Sequence, residues 1–314
     1  MPIVHFFGLS NATIRYPSVL AGALLVPAIY WLVRSLKLSK VTSLILAAVT
    51  AVLPWTFFLS RFGFESNIAL LLFTLGLAAS VNWLEKSRPF WGILSGVLLA
   101  STWYFYISYR PITVVFVIVF ALLQLLGVKK ANWKKKLFPI AIFLLSFAFA
   151  ILPFLLPQNL GVNQTRLKQV GLLSDDAVVN YINENRTFCS WVIPRIFCDL
   201  TWNKPIAVCL ILLDRWIHTF SPQFLATTGE GQNTYLTIEG FGQFYRFLYP
   251  FFLMGILVGL TNYKKLSSLK VRILLAVGFL ITPIPSILID IAQPVRLSPL
   301  VPFLLVAIGL GLDL

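Results

Sequence analysis

Five arginines recur at the margins of long apolar runs: Arg15, Arg61, Arg110, Arg246 and Arg296. A guanidinium is planar, always charged and able to grip two phosphate oxygens at once, so several facing one space suit a phosphate-like anion. The same side chains also serve apolar helices simply by snorkelling to the interface. Glu65 follows Arg61 by four residues, and on one helical turn the two would face the same way. Its carboxylate is a candidate general base or a ligand for a divalent cation. The plainer alternative is an ion pair at a helix start, where the dipole favours an acid. Tyr106 and Tyr109 precede Arg110, Asp290 and Arg296 flank a turn rich in proline, and Glu230 and Glu239 sit in a glycine-rich stretch. The two histidines, His5 and His218, have no Cys or His at ligand spacing, which argues against a zinc site. No metal ligand set, glycine-rich phosphate loop, nucleophile elbow or Walker motif is visible.

The elements that position these residues are membrane helices. Hydrophobic residues make up 58% of the 314-residue chain and charged residues 11%, far from the globular average. Apolar runs cover residues 17–34, 41–59, 66–84, 90–109, 111–127, 137–156, 245–261, 271–289 and 297–312. Most approach the roughly 20 residues that a helix needs to cross a hydrocarbon core of about 30 Å. They lack period-two alternation, and a helix satisfies its own backbone in lipid, so an all-α polytopic bundle of about nine transmembrane helices is expected. Residues 1–156 would hold six helices, 157–244 an extracytoplasmic loop region, and 245–314 three more helices.

The basic residues between these runs sort by side. One set has 14, of which 11 are Lys; the other has 11, of which nine are Arg. Cytoplasmic loops carry the basic excess, so the lysine-rich side, including Lys129–Lys136, is read as cytoplasmic. The net charge of +14 is then a topology signal with the acidic inner leaflet as its counterpart, not a mark of a nucleic-acid partner. All the acids except Glu85 and Asp313 fall on the arginine side, so chemistry belongs there.

Region 157–244 is too long for a passive connector. Its apolar stretch 205–220 is interrupted by Asp214 and Arg215, and counting it as a crossing would invert the Lys264, Lys265 and Lys270 cluster. It is therefore expected to be an interfacial or re-entrant helix. Cys189 and Cys198 share this region, where a disulfide can form, and the sequence leaves the pairing open. Asp175 and Asp176 read as a solvated pair and His218 as a packing or interfacial residue, while sequons at Asn11, Asn163 and Asn185 all fall on the outer side.

Several short strings fall at equivalent outer positions: Arg15-Tyr16-Pro17-Ser18, Pro54-Trp55 followed by Ser60-Arg61-Phe62-Gly63-Phe64-Glu65, Gly240-Phe241-Gly242-Gln243-Phe244-Tyr245-Arg246, and the turn ending in Pro294 and Arg296. In order and sidedness the chain resembles, over nearly all its length, the polytopic glycosyltransferases of the GT-C type. These include protein O-mannosyltransferase-like, aminoarabinose transferase-like and RgtA/B/C/D-like enzymes. The resemblance implies transfer of a sugar from a polyprenyl-phosphate donor, undecaprenyl or dolichyl, to a lipid, glycan or protein acceptor at the extracytoplasmic face of the plasma membrane. It implies that Glu65 assists catalysis or binds a metal, that Arg61, Arg110 and Arg296 bind the phosphate, and that Tyr106, Tyr109, Asp290 and Glu239 line the donor groove or touch the acceptor. Such enzymes usually place an essential acid in the first outer loop, and here no Asp or Glu precedes Glu65. The chain as given is thus expected to lack an upstream helix and loop, and to bind donor better than it transfers sugar. Two other functions stay open: a transporter or flippase for a lipid-linked sugar, and a non-catalytic lipid-binding fragment. A transporter should show internal repeats and paired broken helices; no convincing repeat is found.

Overall fold

The computed structural model describes residues 7–126, 133–155, 176–229, 240–261, 268–289 and 293–313. Asp290, Glu239, Glu230, Asp175, His5 and Asn163 lie outside them, so the candidate roles of Asp290 and Glu239 have no structural counterpart here.

The chain is an all-α polytopic integral membrane protein, and among the described residues no strand occurs. In chain order the helices are α1 (Asn11–Ser35), α2 (Lys40–Val52), α3 (Pro54–Phe62), α4 (Glu65–Lys86), α5 (Pro89–Ser101), α6 (Tyr109–Leu125) and α7 (Trp133–Ile151). There follow α8 (Asp176–Ser190), α9 (Arg195–Thr201), α10 (Lys204–Thr219), α11 (Leu248–Thr261), α12 (Leu269–Ile281), α13 (Ile284–Ile287) and α14 (Val301–Leu312).

By length and composition Asn11–Ser35, Glu65–Lys86, Leu137–Leu155 and Leu269–Ile287 are each sufficient to cross a membrane. The pairs Lys40–Val52 with Pro54–Phe62 and Arg195–Thr201 with Lys204–Thr227 reach that length only together, bent by 47° and 57°. Tyr109–Leu125, Leu248–Thr261 and Ser298–Leu312 are shorter apolar helices.

Local chemistry explains the boundaries. Ser10 and Ser39 cap α1 and α2 by accepting from the Thr13 and Thr42 amides. Pro54 forces Leu53 into extended backbone, ends α2 and opens α3 as its first residue. Gly63, at φ 77°, ends α3 in the left-handed conformation that a Cβ would strain. The expected run 90–109 is helical only to Ser101; a 3-10 turn at Thr102–Tyr104 follows, with the Thr102 hydroxyl donating to the Leu99 carbonyl.

Buried polar groups and small residues set the packing. Helix α4 is the central post: Asn67 donates through Nδ2 to the Ser18 carbonyl at 2.7 Å, and Ser80 meets the hydroxyl of Ser95 on α5 at 2.5 Å. Helix α14 is buried along its length and lies so close to α11 that a Cβ on Gly255 would collide with the Ala307 carbonyl. Small residues at such contacts let backbones approach where lipid offers no hydrophobic drive for association.

The two ends of the bundle differ. At the lysine-rich end Lys37 pairs with Glu85 at 2.8 Å, and the Asp313 carboxylate accepts from Thr42 Oγ1 at 2.8 Å and the Ser39 amide at 3.3 Å. These contacts gather the ends of α1, α2, α4 and α14. The opposite, arginine-rich end gathers the start of α1, the α3–α4 joint, the start of α6 and the segment before α14.

Candidate functional site at the arginine-rich end

Trp55, the second residue of α3, organises this end because the indole is wholly buried. Its Nε1–H donates to the Pro294 carbonyl at 2.9 Å, and its backbone N–H donates to the Gln243 carbonyl at 3.3 Å. Phe224 meets the ring edge-on at 5.9 Å and Phe244 packs on it at 6.0 Å. Segment 242–245 is held in turn: the Phe244 amide donates to the Leu225 carbonyl at 2.6 Å, and the Tyr245 hydroxyl to the Val52 carbonyl at 2.8 Å. One tryptophan thus ties α3 to the two stretches that precede α11 and α14.

Beside this anchor stand residues from the start of α6. Tyr109 is completely buried; its hydroxyl shares a 3.0 Å hydrogen bond with the Ser298 hydroxyl, and its ring meets Phe73 edge-on. The Tyr106 ring lies 6.4 Å from that of Tyr109, and its hydroxyl sits beside the Arg296 guanidinium. Burial raises the Tyr106 phenol above its ordinary value of 10.0, while the Arg296 charge and hydrogen bonds with Ser108 and with Arg296 itself pull the other way without prevailing. Tyr106 is therefore a neutral hydroxyl near neutral pH, able to donate as well as accept.

Ser66 Oγ at the start of α4 and His218 Nδ1 near the end of α10 are buried without a hydrogen-bond partner among the described residues, and so are two donors joined to Trp55, Nη1 of Arg296 and Nε2 of Gln243. The last two are tied to Trp55 through the chain, Gln243 by its own carbonyl and Arg296 through Pro294 two residues before it. A buried guanidinium N–H that donates to nothing carries a desolvation cost of about 1–3 kcal/mol or more, and an anion would offset it.

The structure brings together three of the residues singled out from sequence, Tyr106, Tyr109 and Arg296. Of the other described candidates, Arg61, Glu65 and Arg110 stand apart from them. Arg61 and Glu65 are exposed and stand on different helices, because Gly63 breaks the chain between them. The shared helical turn expected from their four-residue spacing does not form, although Glu65 does open α4, where its charge suits the dipole. Arg15 packs its Cγ over Gly63 at this same joint. Arg110 follows Tyr109 by one residue and so points about 100° away around α6. Its guanidinium lies over the Phe154 ring at 4.3 Å and donates to the Trp103 carbonyl at 3.3 Å. Trp55 and Gln243 were legible only as members of the Pro-Trp and Gly-Phe-Gly-Gln-Phe strings, and Ser298 was not singled out; nothing in their spacing announced which residues they meet.

Among the described residues no three His, Cys, Asp or Glu side chains converge as a metal site. Glu65 alone does not make one, so no step is assigned to a cation. Along α6, towards the lysine-rich end, a groove of about 470 Å³ opens between α6 and α12, lined by Val119, Leu122, Leu123, Leu126, Ile273 and Val277. Its walls are aliphatic.

No known family matches the chain, and no curated protein matches it. One solved structure does: the archaeal oligosaccharyltransferase AglB from Archaeoglobus fulgidus, in complex with an inhibitory peptide and a dolichol-phosphate. The TM-score is 0.49 and the identity 14%; the match covers 98% of this chain and 40% of that one. The chain therefore spans well under half the length of that protein.

Proposed function

We propose that the arginine-rich end binds the phosphate of a lipid-linked sugar and supports glycosyl transfer from it. The observation that carries this reading is the buried, partnerless Nη1 of Arg296 beside the neutral Tyr106 hydroxyl. A phosphodiester oxygen there would accept from both, and the Gln243 amide would supply a further donor. The aliphatic groove between α6 and α12 offers the isoprenoid tail a path into the bilayer along the helix that carries Tyr109.

In an inverting transfer the acceptor hydroxyl oxygen attacks the anomeric carbon as the bond from that carbon to the phosphate oxygen breaks. The electron pair leaves with the phosphate, so negative charge grows where Arg296 stands, and a fixed cation lowers the barrier there. The acceptor proton passes to a carboxylate; among the candidates Glu65 is the described one, at the α3–α4 joint on the same face. The donor is a polyprenyl-phosphate hexose or pentose, with undecaprenyl or dolichyl carriers equally compatible. The acceptor is a lipid, glycan or protein, and the working face is extracytoplasmic, on the plasma membrane.

The test is binding of undecaprenyl phosphate to the protein in nanodiscs, read by native mass spectrometry. Arg296→Ala should weaken it, and Arg296→Lys should restore it only in part because the fork is lost. Unchanged binding by the Arg61→Ala, Arg296→Ala double variant would overturn the reading.

A further inference from the structure

Helices α8 and α9 are joined by a disulfide between Cys189 and Cys198, with Cα atoms 5.8 Å apart, closing a tight hairpin. The tip carries Phe188, Trp191, Val192, Ile193, Ile196 and Phe197, all exposed, with Val192 at 84%. An apolar tip fixed by a covalent staple cannot fold back to hide itself. Its neighbour α10 is apolar on two sides. Ala207, Val208, Ile211 and Leu212 pack on Val178 and Ile182 of α8, while Ile206, Leu210, Leu213 and Ile217 form a second, bare stripe at helical spacing.

We infer that this hairpin and the bare stripe of α10 are a wedge seated in the hydrocarbon of the leaflet at the arginine-rich face. Four observations select lipid as the occupant. First, α9 with the helical stretch from Lys204 to Thr227 has the length and hydropathy of a membrane span, yet is bent by 57°. Second, the segment leaves and returns at one face. The end of α7 is fixed there by the Tyr104 hydroxyl donating to the Ala150 carbonyl, and the approach to α11 by Tyr245 on Val52. Helix α8, with its Asn, Glu and Asp residues, cannot supply a return crossing, so the apolar unit dips in and does not traverse. Third, Arg215 donates through Nη1 to the Ile287 carbonyl at 2.9 Å, holding α10 against α13 at the outer end of the Leu269–Ile287 span, where lipid begins. Fourth, the charges on the two arms of the hairpin meet each other: Arg186 and Asp199 pair at 3.3 Å, and Arg186 also donates to the Trp202 carbonyl at 2.8 Å. Arg195 at the tip, Lys204 at the start of α10 and Asp214 beside the stripe are exposed, and basic residues of this kind flank interfacial apolar elements. The inference is independent of whether the chain transfers sugar.

The experiment places a photo-cross-linking amino acid at Val192, at Leu213 or, as a control, at Glu184 on the polar face of α8, in the full chain in its native membrane. After irradiation, mass spectrometry should find phospholipid adducts at positions 192 and 213 and none at 184. Adducts to another protein or to a second copy of the chain at positions 192 and 213, or quenching by water alone, would overturn the wedge. In the Cys189→Ser, Cys198→Ser double variant the lipid adduct at 192 should fall while that at 213 persists; an unchanged yield at 192 would overturn the part assigned to the staple.

Discussion

At the residue scale, the weight of the site rests on Arg296. A hydrogen bond to a charged group contributes about 1.5–3 kcal/mol, so Arg296→Ala should reduce polyprenyl-phosphate affinity roughly ten- to hundredfold, measured by native mass spectrometry titration. Tyr106 makes a different prediction, because its burial favours the protonated form in the folded state. Its contribution to stability is fully present below the ordinary value of 10.0 and is lost as pH rises above it. Thermal melts in detergent from pH 8 to 11 should therefore show a smaller alkaline loss in Tyr106→Phe than in the parent; equal losses would remove Tyr106 from the titrating set. Glu65→Gln tests the carboxylate: donor binding should be retained while sugar transfer falls, and a parallel loss of both would make Glu65 a binding or structural group. These residues were visible in the sequence as arginines and an acid at helix ends. Their partners were not, because hydrogen-bond geometry across more than 180 residues, as between Tyr109 and Ser298, leaves no trace in local spacing.

Elements show the same division. The caps, the proline that opens α3 and the glycine that closes it follow from local backbone rules, and Pro54, Gly63 and the serine caps could be read directly. The bend between α2 and α3 does more than break a helix, since it delivers Trp55 to the Pro294 carbonyl. Trp55→Phe keeps the aromatic packing but leaves that carbonyl unpaired, which should cost about 1–3 kcal/mol of stability. It should also weaken donor binding by loosening the turn that carries Arg296, a combination checked by melting temperature and lipid titration together. The contact of α11 with α14 gives a purely structural counterpart. Gly255→Val drives two methyl groups towards the Ala307 backbone, and overpacking of this kind costs about 1–3 kcal/mol, so the melting temperature should drop.

For the whole molecule, the separation of charge between the two ends is the governing feature. The lysine-rich end is held by Lys37 with Glu85 and by Asp313 with Thr42, which joins α14 to α2. Distant segments converge at the other end as well, on Trp55 and Tyr109. The proposed orientation rests on the loop charges and is tested by labelling: in a Cys209→Ser background, an engineered cysteine at Lys135 should resist an impermeant thiol reagent in intact cells. Ready labelling at Lys135 would reverse the assignment of faces and with it the location of the proposed site.

Composition and the periodic placement of apolar runs determined that the chain is a helical membrane protein, because the cost of an unsatisfied backbone in lipid leaves little alternative. Loop charge determined which end collects arginine and acid. Only the tertiary structure decided that Nη1 of Arg296 is buried without an acceptor among the described residues, that Arg110 meets Phe154 and Trp103, and that Gly63 parts Arg61 from Glu65. The reason is physical: hydropathy acts along the chain and is additive, whereas the satisfaction of a buried donor depends on atoms brought together from distant segments.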